Sequence, residues 1–183
     1  MIEPNRFDPF NNRLCRNVRN ALSEGFKSAL ETKELQPVQK IAGFFLDEHQ
    51  PASVRLYIEN RLAAYERVLA MVLDNHLEQP LTIAMVIWDQ GLFFETHEYL
   101  ETFWMEAAGE ERALLQALIR AAGTYVHLEQ GNLIAARRIS DKAIPILEEK
   151  QTLLTGSADV KLLLCKLKSL DPDPPKLSPK KGS

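Results

Sequence analysis

The sequence is poor in cysteine and contains no long hydrophobic run. Its two cysteines, Cys15 and Cys165, lie far apart in the 183 residues and form no CxxC pair. Two thiols in a chain of this length are typical of a reducing compartment, although a single disulfide between them stays open. No apolar run approaches the roughly 20 residues of a membrane span, and the first residues lack the apolar core of a signal peptide. We therefore expect a cytoplasmic protein that does not enter a membrane.

A large excess of charge of either sign is also lacking, since the formal net charge is −3. A chain without an overall basic field has no general means of holding a phosphate backbone, so we expect no nucleic-acid partner. Arg13, Arg16 and Arg19 recur at helical spacing, and we interpret them as a solvated helix face. The sequence has no Gly-rich phosphate loop, GxSxG elbow or HExxH motif, so whether the protein is an enzyme stays undecided.

Glycine is scarce as well, with eight residues, and most prolines fall between segments of helical periodicity. No strand-like alternation is long enough to indicate a sheet, so the sequence predicts an all-α fold, a helical bundle with a central antiparallel hairpin. Gly131 and Asn132 combine a left-handed helix stop with the N-cap of the next helix. We expect four parts: an N-terminal helical extension that packs on the core (1–80), a core (81–150), a C-terminal helix (151–170) and a disordered tail (171–183).

The stretch GLFFETHEYLETFW, residues 91–104, places two ionisable residues within an apolar helical stripe. On a helical wheel His97, Glu101 and Trp104 share the apolar arc, and we expect them to face inward. His97 and Glu101 are four residues apart, so their side chains are neighbours on the helix. The same wheel predicts a solvated face that carries Glu95, Glu98, Thr102 and Glu106.

Three interpretations account for an inward His97–Glu101 pair. The two side chains can satisfy each other by a hydrogen bond, which makes the pair structural. They can bind a divalent metal ion, although they supply two ligands where zinc normally takes three or four. They can also act in acid–base catalysis, in which the carboxylate adjusts the pKa of the imidazole.

The helix that follows supplies further polar residues for such a site. If the sequence AAGEE closes an antiparallel hairpin, Glu101 lies near Gln116 and His97 lies near Arg120. We expect Gln116 to support the site, whereas His127 lies beyond the region that the hairpin brings opposite. Arg120 prefers a carboxylate partner, and in that position it would repel a cation.

These residues resemble a known family. The pattern His97-xxx-Glu101-xx-Trp104 is similar to that of the uncharacterised prokaryotic family called domain of unknown function 309, and the segment LLQALIRAAGTYVHLEQGNLIAARR is similar to its second half. The resemblance covers roughly residues 85–148. It implies an all-helical fold and a metal-binding motif at His97 and Glu101, with Trp104 as the aromatic neighbour.

The chain departs from the family pattern at two positions on the second helix of the hairpin. Ala117 replaces the usual glycine, and Arg120 stands where a glutamine is common. The expected site is therefore His97 and Glu101 as metal ligands, with Trp104, Gln116 and Arg120 around them.

A second class of function stays open beside the metal site. The segment GNLIAARRISDKAIPILEE resembles the second half of a tetratricopeptide hairpin, although stacking of such hairpins needs about three repeats. In this alternative the protein is a non-catalytic helical interaction module, and His97–Glu101 is a structural pair. A protein partner would bind in a groove lined by Phe93, Phe94, Trp104 and Tyr125. Neither class identifies a protein partner or a small ligand.

Overall fold

The computed structural model describes residues 6–46, 50–154 and 159–178. Within these ranges the secondary structure consists of eight α-helices and one 3-10 helix, without a strand, which confirms the all-α prediction. Among these helices none is long and apolar enough to cross a membrane. The chain divides into two compact units, Met1–His76 and Leu77–Ser183.

The first unit is built from three helices joined by short connections. The side chain of Asn12 accepts a hydrogen bond from the backbone N–H of Cys15 and thereby starts the first helix. Phe26 of the first helix stacks on Tyr65 of the third, with 4.2 Å between the ring centroids. The helices are α1 (Arg13–Thr32), α2 (Gln36–Phe45) and α3 (Ala52–Asp74).

Helices α1 and α2 approach each other most closely at Gly25. A Cβ atom at this position would lie 2.6 Å from Cδ1 of Ile41 and 3.1 Å from the backbone Cα of Val38. We expect Gly25→Ala to lower the free energy of unfolding by about 1–3 kcal/mol, because backbone atoms must move apart. Gly43→Ala is the matched control, since nothing lies within 4 Å of its added methyl group. That change should stabilise α2 by about 0.5–1 kcal/mol in urea unfolding, and equal effects would contradict the packing described.

The second unit is arranged around its longest helix. This helix, α6, packs against both α5 and α7. Three of its alanines, Ala117, Ala121 and Ala122, are fully buried, and small side chains permit close approach of neighbouring helices. The unit contains α4 (Pro80–Asp89), α5 (Phe93–Trp104), α6 (Gly109–Glu129), α7 (Leu133–Lys150), a 3-10 helix (Gln151–Leu154) and α8 (Val160–Ser169).

The hairpins α4–α5 and α6–α7 share one kind of turn. Gly91 and Gly131 both have φ of +71°, and the N–H of each donates to the carbonyl three residues earlier, at 2.8 and 2.9 Å. The Asn132 side chain then accepts from the N–H of Ala135 at 3.3 Å, so the predicted stop and cap at Gly131 and Asn132 are confirmed. Within the described residues α4–α5 and α6–α7 are thus two hairpins of similar construction, whereas the tetratricopeptide resemblance of the sequence covered the second of them only.

The prediction of a disordered tail over 171–183 is wrong for residues 171–178. Leu177 is only 2% exposed, and the carboxylate of Asp89 accepts hydrogen bonds from the backbone N–H groups of Leu177 and Ser178, at 2.7 and 3.1 Å. The segment has few apolar residues, but one buried leucine and bonds to a buried carboxylate are enough to hold it. Residues 179–183 lie outside the described ranges.

Candidate functional site

Helix α5 buries two faces, because it packs against α4 on one side and α6 on another. Phe93, Thr96 and Leu100 are buried, and the Thr96 hydroxyl donates to the carbonyl of Leu92 at 2.9 Å, so its polar group is satisfied within the helix. Glu95 is 1% exposed, so the prediction that it lies on a solvated face is wrong. The wheel assumed one apolar stripe, whereas a helix between two others has a wider buried surface.

His97 and Glu101 lie at the rim of the packed surface, so the prediction that both face inward is wrong. The His97 side chain is 32% exposed and the Glu101 side chain is 48% exposed. His97 Nε2 and Glu101 Oε2 are 3.8 Å apart, which is longer than a hydrogen bond. Because Thr96 and Leu100 occupy the inward positions, the residues that follow each of them turn toward solvent.

Glu98 joins this pair to form a group of three oxygen and nitrogen donors. Single ligand atoms of His97, Glu98 and Glu101 all lie within 4.8 Å of one another. The helical wheel predicted a solvated position for Glu98 and did not indicate that it belongs to the site. The sequence HEYLE contained an indication of this role. Adjacent residues are about 100° apart around a helix, and the long side chain of Glu98 can span that angle to reach His97 and Glu101.

The imidazole of His97 lies beside a glycine of α6. A Cβ atom at Gly123 would be 3.8 Å from His97 Nδ1 and 3.9 Å from Cγ2 of Ile139 on α7. A methyl group at Gly123 would therefore make only ordinary van der Waals contacts, and the His97 ring lies close to α6 at this position. Nδ1 lies on the α6 side of the ring, and Nε2 lies on the side of Glu101.

The structure does not bring Arg120 to Glu101. Arg120 Nη1 donates to the carbonyl of Lys142 on α7 at 3.2 Å, and across the described ranges it forms no ion pair with Glu101. The register of the hairpin thus differs from the expected one by about one helical turn, since His97 faces Gly123. Gln116 is half-buried and, among the described residues, makes no hydrogen bond to His97 or Glu101.

Trp104 closes the end of α5 and contacts an arginine of α6. The Arg112 guanidinium lies 4.1 Å from the centroid of the Trp104 ring, and its Nη1 donates to the carbonyls of Trp104 and Ala107 at 3.0 and 3.2 Å. The Trp104 carbonyl is at the C-terminal end of α5, where a cation is favourable, and the Ala107 carbonyl belongs to the connection that follows. Trp104 therefore has a structural role at the α5–α6 turn.

His127 stands apart from the group of three. It lies about one turn beyond Gly123 on α6, and it is half-buried. Burial lowers the pKa of the His127 imidazole, and the positive charge of Arg138 on α7 lowers it further. A neutral imidazole between α6 and α7 fits a structural position, and it is not part of the cluster on α5.

Comparison with known proteins identifies one segment of the chain. Residues 81–139 match the family model of the domain of unknown function DUF309. The matched range covers α4 to α6 and the first part of α7, and it includes His97, Glu98 and Glu101. No curated protein and no solved structure matches the chain.

Proposed function

We propose that this chain, whose residues 81–139 match the DUF309 family model, binds a divalent metal ion through His97, Glu98 and Glu101. The observation that carries the proposal is the proximity of their three ligand atoms, within 4.8 Å of one another on one helix. The third ligand answers the objection that His97 and Glu101 alone are too few. Water or a bound substrate would supply the remaining positions.

The distances fit an ion after a small adjustment. Metal ions such as zinc lie about 2.0–2.2 Å from nitrogen and carboxylate ligands, so two ligands of one ion are at most about 4.2 Å apart. Side chains that are partly or mainly exposed can close the remaining gap by a change of rotamer. Two carboxylates and a neutral imidazole also match the charge of a divalent cation.

The donor set favours a borderline transition metal. Imidazole suits zinc, iron, nickel and copper, whereas carboxylates also suit manganese and magnesium, so a mixed set favours zinc, iron or manganese. With three protein ligands the site keeps open positions, as catalytic metal sites do. A metal bound there would polarise a substrate oxygen or lower the pKa of bound water.

The geometry gives less support to a purely structural pair. At 3.8 Å the His97–Glu101 contact is an ion pair at most, and both side chains are partly exposed. Exposed pairs of this kind stabilise proteins by about 0–1 kcal/mol. Such a pair does little to fix the register of α5.

Titration calorimetry of the full chain with Zn²⁺ and with Mn²⁺ tests the proposal. We expect saturable binding to the wild type, and binding weaker by at least about tenfold in Glu98→Gln, because one ligand charge is lost. Glu106→Gln is the control, since this exposed carboxylate of the same segment lies outside the group of three. Equal binding by wild type and Glu98→Gln, or no binding by the wild type, would remove the basis of the proposal.

A non-catalytic interaction module is the second candidate. The observation that favours it is the repeated turn, because α4–α5 and α6–α7 are consecutive hairpins with equivalent glycines. Arrays of such hairpins bind partners along their surfaces. This candidate expects no effect of Glu98→Gln on any ligand, so the same titration separates the two.

A further inference from the structure

The segment 171–178 is irregular, lies against α4 and is held by three kinds of contact. Trp88 Nε1 donates to the carbonyl of Pro175 at 2.9 Å. The Asp89 carboxylate accepts from the backbone N–H groups of Leu177 and Ser178, at 2.7 and 3.1 Å, and from the Ser178 hydroxyl. The side chains of one helix thus bind the main chain of the segment, as peptide-binding proteins do with an extended ligand.

The side chain of Leu177 supplies the third contact. It is buried as part of the hydrophobic core of the unit, and it lines a small apolar pocket together with Met85, Leu100 and Leu118 of α4, α5 and α6. A single buried apolar side chain flanked by main-chain hydrogen bonds is the arrangement by which short peptides gain both affinity and register. Three prolines within 172–175 restrict the backbone, which lowers the entropy lost when the segment is ordered.

The segment does not fill the surface on which it lies. A cavity of about 410 Å³ remains between it and the α4–α5 turn, with Trp88, Phe93 and Asp173 among its lining residues. The Tyr125 ring packs on Trp88 and Phe93, two of the residues that line this cavity.

We propose that this surface of α4 is a peptide-binding groove for extended segments of the pattern Pro-x-Leu-Ser. Residues 175–178 of the chain occupy the groove intramolecularly, and a segment of the same pattern from a partner protein replaces them. Such a partner, with larger side chains before its proline, fills the remaining cavity. The groove does not involve His97 or Glu98, so this proposal is independent of the proposed metal binding.

Intramolecular occupation weakens the apparent affinity of the groove for any other segment. A tethered ligand competes at an effective concentration of the order of millimolar, so a free peptide of the same sequence binds the wild type poorly. Releasing the tethered segment should expose the full affinity of the groove. The quantity to measure is therefore the affinity for a free peptide, compared between the chain with its own segment bound and the chain with that segment released.

The test is fluorescence anisotropy with a labelled peptide LDPDPPKLS, which copies residues 170–178. The full chain carrying Leu177→Asp cannot place a carboxylate in the apolar pocket, so its own segment is released. We expect this variant to bind the peptide saturably and at least about tenfold more tightly than the wild type does. A labelled peptide LDPDPPKDS should not bind, because it lacks the leucine.

Ser178→Pro in the full chain is the second variant. It removes the N–H and the hydroxyl that donate hydrogen bonds to the Asp89 carboxylate. It should also bind the peptide more tightly than the wild type. Absence of binding to both folded variants, or equal binding by variants and wild type, would overturn the proposal. Loss of cooperative unfolding in both variants would also overturn it, since the segment would then be a fixed part of the unit. A wild-type dimer that Leu177→Asp converts to a monomer would overturn intramolecular occupation.

Discussion

Trp88→Ala is expected to lower the free energy of unfolding by about 3–5 kcal/mol, as truncation of a large buried aromatic side chain does. Trp88 is 2% exposed, and its ring packs edge-on against Phe93 and Tyr125, with centroids 5.0 and 5.1 Å away. The change also removes the donor to Pro175. Urea unfolding followed by far-ultraviolet circular dichroism measures the loss without depending on tryptophan fluorescence.

Trp104→Ala is the matched control for this prediction. Trp104 is only partly buried, and it stacks on Arg112 at the end of α5. We expect its replacement to cost about 1–2 kcal/mol, since a cation–π contact and part of the ring's burial are lost. If Trp104→Ala were the more destabilising of the two, the tryptophan of the His97-xxx-Glu101-xx-Trp104 pattern would be the main anchor of the unit, contrary to the packing described.

His97→Ala is expected to weaken metal binding by at least about tenfold while the free energy of unfolding changes by less than about 1 kcal/mol. The small change in stability follows from the geometry, because the imidazole is at the rim and its contact with Glu101 is 3.8 Å long. Calorimetric titration with Zn²⁺ measures the first quantity, and urea unfolding measures the second.

The second hairpin provides a control for His97→Ala. Arg137 and Asp141 occupy the corresponding positions of α7 and form an ion pair at 3.7 Å with the same spacing. Arg137→Ala should therefore leave metal binding unchanged, since this pair has no histidine. If His97→Ala instead lost several kcal/mol and bound metal normally, the pair on α5 would be structural.

The helical periodicity and the turn residues were enough to predict the all-α fold and the α6–α7 hairpin. Local signals decide these features: glycine adopts the left-handed conformation at residue 131, and Asn132 caps the helix that follows. The environment of α5 was harder to predict. Its buried surface depends on two neighbours, α4 and α6, so a wheel with one apolar stripe placed Glu95 outside and Glu101 inside.

The partners of the site residues depended on how closely two helices approach. His97 lies near Gly123 rather than Arg120, and the arginine side chain donates to the carbonyl of Lys142 instead. The register of α5 against α6 is a tertiary feature that residue numbers alone do not determine. The composition of residues 171–178 also did not indicate that the segment is packed. Its packing depends on one buried leucine and on the carboxylate of Asp89.

The metal content of the untagged protein, purified without chelators and measured by inductively coupled plasma mass spectrometry, tests the central claim most directly. The proposed site predicts stoichiometric zinc, iron or manganese in the wild type and its loss in both His97→Ala and Glu101→Ala. A wild type without metal, together with a lower melting temperature of both variants, would contradict the claim and make His97 and Glu101 a structural pair.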